Sequence, residues 1–165
     1  MDAKDLLVDI ANRPAASARS LPSLTAEQLA ARPDGHPNSI AWLLWHSGRE
    51  ADVQLSALSG EDEVWGAYRE RFGLGAIGDT MGYGHTPEQA AQIEVGDQDL
   101  LVSYLEAVMK AVVAYSTTLS ESDLDVIVDE SWDPPVSRGV RLVSLIEDAA
   151  IHVGQAAYVA GALTA

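Results

Sequence analysis

Asp148 and His152 stand four residues apart in LVSLIEDAAIHVGQAAYVAG, so on a helix they share one face, one turn above the other. Leu145, Ala149, Gln155, Ala156 and Val159 complete that face. A carboxylate on a mostly apolar stripe is costly unless it is paired or bound to a cation. Two ligands at i and i+4 can chelate one divalent ion. The plain alternative is a buried Asp–His hydrogen bond that satisfies both groups, and pairs at this spacing are common.

His46, in AWLLWHSGRE, shares a face with Trp42, Leu43, Glu50 and Val53. A lone His on such a face is more often a satisfied core residue than a ligand. A bundle that packs both helices on one core could nevertheless bring His46, Asp148 and His152 together. Two imidazoles and one carboxylate with open positions suit Zn, Ni, Fe or Mn, with water completing the shell. Glu50 reads as a solvated helix residue, with a fourth ligand or a general base on bound water as the sharper alternatives. His36, in a Pro/Gly loop, reads as exposed and inert. His85, in MGYGHTPEQ beside Tyr83, fits turn chemistry better than a pocket mouth. Trp42, Trp45, Trp65 and Trp132 read as core or interface fillers, and Glu61–Glu63 as a solvated loop. No residue is assigned a catalytic role.

Other chemistries find no support. No Gly-x-Ser-x-Gly elbow is present, and neither a phosphate-cradling Gly loop with Lys nor a GxGxxG after a strand occurs. With 0 Cys there is no disulfide frame, thiolate zinc site or cysteine nucleophile.

The elements that must position these residues are helices. The 165 residues, 47% apolar and 21% charged, have the balance of one globular domain spanning 1–165. The first helical stretch covers about 3–21, bent at Pro14 or split into two there. Thr25 and Gln28 fit a capping box for a short helix at 25–31. Asn38 or Ser39 caps the second long helix, which runs to Gly60. Residues 61–95 read as a long connection with one short helix near 61–71. Asp97 caps a third long helix to about 119. Val126–Val128 suits a brief extended piece, WDPP at 132–135 cannot be helical, and Ser137 caps a fourth long helix over about 138–163. The pattern predicts an all-α four-helix bundle. A connection of roughly 35 residues is far longer than adjacent antiparallel helices need. It therefore reads as a crossover that leaves the second and third helices parallel.

Net charge is −15, from 25 acidic against 10 basic residues. Such a surface repels phosphate backbones and anionic lipid and concentrates cations. The expected partner is a small molecule, with no nucleic acid and no membrane. The acidic start MDAKDLLVDI lacks a signal peptide's basic region, and no run reaches transmembrane length, so the expected location is cytoplasmic.

NSIAWLLWHSGRE, RFGLG, MGYGHTPE, VDESWDPPVSRGVRLVSL and IHVGQAAYVAG together resemble the actinobacterial branch of the DinB/YfiT-like superfamily, in order and over most of the chain. The resemblance implies a DinB-type four-helix bundle, often a homodimer, with a divalent metal between helices. It implies one ligand on the second helix and two, four apart, on the last: His46, Asp148 and His152. Many relatives carry His where this chain has Asp148, which makes the set harder. Relatives include S-transferases and isomerases using mycothiol or bacillithiol, so the resemblance implies a metal-dependent enzyme with a low-molecular-weight thiol cosubstrate, acting on small electrophiles. A metal-dependent hydrolase, and a non-catalytic binding module with a degenerate metal site, remain alternatives.

Overall fold

In the computed structural model, which describes residues 2–164, most helix ends fall where local capping chemistry puts them. Helix α1 (Ala3–Ala11) and helix α2 (Arg13–Arg19) are the two halves of the first stretch, separated at Asn12, with Pro14 in the first turn of α2. There a missing N–H costs nothing. Thr25 and Gln28 form the expected capping box of α3 (Ala26–Leu29). Ser39 accepts from the Trp42 N–H to open α4 (Ile40–Ser59), and left-handed Gly60 ends it. Asp97 opens α7 (Gln98–Thr118) by accepting from the Leu100 N–H. Helix α8 (Glu121–Leu124) follows, and β1 (Ile127–Asp129) pairs antiparallel with β2 (Val136–Ser137) across the WDPP segment. Helix α9 (Arg138–Thr164) closes the bundle.

Side-chain contacts fix the helix directions. Tyr104 packs beside Gly48, and the Tyr115 hydroxyl donates to the Leu58 carbonyl at 3.1 Å, so α4 and α7 advance together and are parallel. Gln54 meets Arg141 while His46 meets Asp148, so α4 and α9 run antiparallel. The long segment after α4 is therefore the crossover its length predicts. Gly48 permits the α4–α7 approach: a Cβ there would lie 2.6 Å from the Tyr104 ring.

The crossover is more regular than expected. In place of one helix over 61–71 it forms a 3₁₀ turn at Val64–Ala67 and then α5 (Arg69–Phe72); a second 3₁₀ turn, Gly75–Asp79, and α6 (Pro87–Ala90) follow. The reason is tertiary. The Asp52 carboxylate on α4 accepts the N–H groups of Val64 and Trp65 at 2.9 and 2.8 Å, answering the free donors of that first turn from outside the segment. The GLGAIG run at 73–78 follows α5 rather than a strand.

Trp42, Trp45 and Trp65 lie in the core, as expected of fillers, whereas Trp132 is 64% exposed on the β1–β2 connection. Taken alone, α7 is long and apolar enough to cross a membrane. In the fold it is a core helix, with Leu101, Tyr104, Leu105, Val108 and Val112 buried.

Candidate metal centre

Helices α4 and α9 bring three ligand atoms together. One atom each from His46, Asp148 and His152 lies within 4.8 Å of the others. His46 Nε2 stands 3.6 Å from Asp148 Oδ2, and His152 Nε2 stands 3.6 Å from Asp148 Oδ1. The carboxylate is thus bracketed by two imidazole nitrogens. Neither contact is a hydrogen bond by length. The plain Asp148–His152 pair that the spacing left open is present as a 3.6 Å ion-pair contact rather than a short hydrogen bond.

The other nitrogen of each ring is already committed. His46 Nδ1 donates to the Met81 carbonyl, and His152 Nδ1 donates to Gln155 Oε1 at 2.7 Å. A carbonyl oxygen can only accept, so each neutral ring carries its proton on Nδ1 and turns the Nε2 lone pair toward Asp148. This is the second-shell arrangement that orients histidine ligands. Met81 reaches His46 because Gly82, at φ +92°, lets the MGYGH loop lie against the ring; a Cβ there would sit 2.8 Å from His46 Nδ1. Trp42 stacks on His46 with ring centroids 4.5 Å apart and meets His152 edge-on at 6.1 Å.

Burial pulls the His46 pKa down, only partly opposed by its bond to Met81, so this ring favours the neutral, ligating form. His152 is also desolvated, but its contacts with Asp148 and Gln155 outweigh burial and the net direction is up. Asp148 Oδ2 is buried without a hydrogen-bond partner. The Nε2 lone pair of neutral His46, that of His152 once its Nε2 is unprotonated, and one orphaned carboxylate oxygen form a donor set that fits a divalent cation. The site is reached from the α9 side: side-chain exposure is 34% at Asp148 and 19% at His152, against 5% at His46.

Glu50 departs from the solvated helix residue expected. It is 8% exposed, and burial with the nearby Asp148 charge pushes its pKa up to about 7. Its Oε1 accepts from Gln54 Nε2, while Oε2 is buried with no partner. His85 behaves as loop chemistry: Trp42 Nε1 donates to its Nδ1 at 3.3 Å, and its Nε2 meets Thr80 Oγ1 at 2.9 Å. Both nitrogens are used, and Tyr83 beside it is exposed. His36 is exposed, as expected, but it borders a groove of about 780 Å³ between the 33–38 loop and α9. Leu43, Ile151, Tyr158 and Gln155 also line this groove, and Gln155 joins it to His152.

Arg49 and Asp52, which nothing in the sequence marks as functional, are both 1% exposed. Arg49 donates to the Thr80 and Asp79 carbonyls, to Glu63 Oε2 at 2.9 Å and to the Tyr104 hydroxyl. Glu63 is therefore an ion-pair partner rather than part of a free solvated loop. The only signal in the sequence was the i, i+3 spacing of Arg49 and Asp52, which a surface helix shows equally often.

A model of the DinB superfamily matches residues 11–156. Among solved structures, the chain is similar to one described as the crystal structure of the conserved protein of locus from Enterococcus faecalis. The two are 36% identical, the match covers 97% of this chain and 96% of that one, and the TM-score is 0.87. No curated protein matches the chain.

Proposed function

The chain belongs to the DinB superfamily, and from that premise we propose that it is a divalent-metal-dependent enzyme whose ion is held by His46, Asp148 and His152. The observation that carries the proposal is the orphaned, buried Asp148 Oδ2 between two imidazoles whose lone pairs face it. Bound there, Zn, Ni, Fe or Mn would act as a Lewis acid that makes a thiol or a water nucleophilic near neutral pH. The protein's own part is to fix both imidazole tautomers through Met81 and Gln155 and to exclude water from His46 with Trp42. It leaves approach open beside Asp148.

In this reading the cosubstrate is a low-molecular-weight thiol of the mycothiol type and the reaction is S-transfer to a small electrophile in the cytoplasm. The thiol rests on the sequence resemblance. The apolar groove shared with Gln155 supports a small-molecule acceptor, and the −15 charge supports neither nucleic acid nor anionic membrane as partner. A homodimer is part of the proposal, supported by Val143, Ile151 and Tyr158 exposed along α9; sedimentation equilibrium tests it.

The first experiment is metal content by mass spectrometry on tag-free protein, before and after dialysis against Zn²⁺, Ni²⁺, Mn²⁺ and Fe²⁺. The expected result is about one retained ion per chain, lost in His152→Ala. No retained ion under any loading would overturn the metalloenzyme reading in favour of a binding module. With the ion bound, a thiol should alter the visible spectrum of Co²⁺-substituted protein. An unchanged spectrum with product formed from water would favour a hydrolase.

A further inference from the structure

We infer that Glu50 is a fourth protein group on the same cation, making the site two imidazoles and two carboxylates. This rests on the three-residue reading above and adds to it. Glu50 lies one turn beyond His46 on α4 and is more than nine-tenths buried. Its Oε2 has no hydrogen-bond donor, and the strongest charge acting on it is Asp148, of the same sign. Asp148 Oδ2 is likewise buried and without a donor. These two carboxylates, each with an unanswered buried oxygen, act on one another as like charges unless Glu50 holds a proton or a cation is shared between them.

Among the described residues the basic groups acting on Glu50 are Arg141 and His152, and neither bonds its Oε2. Arg141 is spent elsewhere: it donates to Gln54 Oε1 at 3.0 Å and to Asp129 Oδ2 at 2.7 Å. Gln54 then turns its Nε2 to Glu50 Oε1. The chain Asp129–Arg141–Gln54–Glu50 thus holds one carboxylate oxygen from behind and leaves the other free. That is how a ligating carboxylate is oriented when its remaining oxygen faces an ion. Two carboxylates also balance a divalent charge, so the loaded site is neutral where a three-ligand site would bury a net positive charge. A second carboxylate shifts preference toward harder ions such as Mn²⁺ and Fe²⁺.

The test compares wild type, Glu50→Gln, Glu50→Ala and His152→Ala, each checked for helix content by circular dichroism. Affinities for Mn²⁺ and Zn²⁺ are measured by competition with a chelating dye, and Co²⁺ loading by visible absorption. Both Glu50 variants should lose at least about tenfold in affinity, more for Mn²⁺ than for Zn²⁺, with a changed Co²⁺ spectrum. Affinity within twofold of wild type and an identical Co²⁺ spectrum, while His152→Ala loses the ion, would overturn the inference and leave the three-residue site standing. If wild type itself holds no ion, the three-residue reading fails and the inference with it.

Discussion

Helix α4 carries two buried polar clusters on neighbouring faces, and they are built in opposite ways. Around Arg49 and Asp52 the charged groups are answered: Asp52 accepts from two backbone N–H groups and from the Tyr104 hydroxyl at 2.7 Å, and Arg49 spends its donors on two carbonyls, Glu63 and Tyr104. Around His46 and Glu50 they are not, since Glu50 Oε2 and Asp148 Oδ2 have no partner. Buried polar groups are normally satisfied, because an unmade hydrogen bond retains its full desolvation cost. The first cluster therefore fastens the crossover to the bundle. The second is left incomplete by the protein's own atoms, which is the feature the proposed metal site rests on.

The contrast can be broken most directly at Arg49. Arg49→Ala takes the countercharge at 3.5 Å from buried Asp52 and releases the Asp79 and Thr80 carbonyls and Glu63, so urea unfolding should show a loss of about 3–5 kcal/mol. A loss under 1 kcal/mol would mean that the satisfied cluster is not a fastening.

Glu50→Gln should do the reverse in the ion-free protein. The Glu50 pKa rises from 4.5 to about 7 on folding, so the folded state holds this proton more tightly than the unfolded chain. Wild-type stability then falls as pH climbs through that interval, and the loss is complete above it. The variant carries no such charge. It should be more stable than wild type at pH 8, by at most about 3 kcal/mol, and nearly equal to it at pH 4. A difference that does not change with pH would mean Glu50 is as well accommodated as Asp52.

The smallest effect is expected at Gln155, which orients His152 from the edge of the groove. Gln155→Leu should weaken metal binding about tenfold and leave the urea midpoint of the ion-free protein within experimental error. Unchanged affinity would remove Gln155 from the site's support.

Much of the fold was legible in the sequence because its signals are local. The Ser39 cap, the Gly60 stop, the Thr25–Gln28 box and the Asp97 cap each involve atoms within a few residues, so they form in any tertiary setting that leaves the segment helical. The length of the connection forced the crossover and parallel α4 and α7. The i, i+4 spacing placed Asp148 and His152 on one face, and resemblance joined His46 to them. What spacing could not decide is which neighbour covers each face. Glu50, Arg49, Asp52 and His46 all fall within two turns of α4, and helical periodicity treats them alike. The crossover, folding back over Arg49 and Asp52, answers their charges with Thr80, Asp79, Val64 and Trp65; α9, packing on the adjacent face, sets Asp148 against His46 and Glu50. The sequence by itself determined where the long helices α4 and α7 begin and where α4 ends, since capping is short-range chemistry. Only the tertiary structure decided which buried charges are answered and which are left without a hydrogen-bond partner, since that depends on contacts between residues up to about a hundred positions apart.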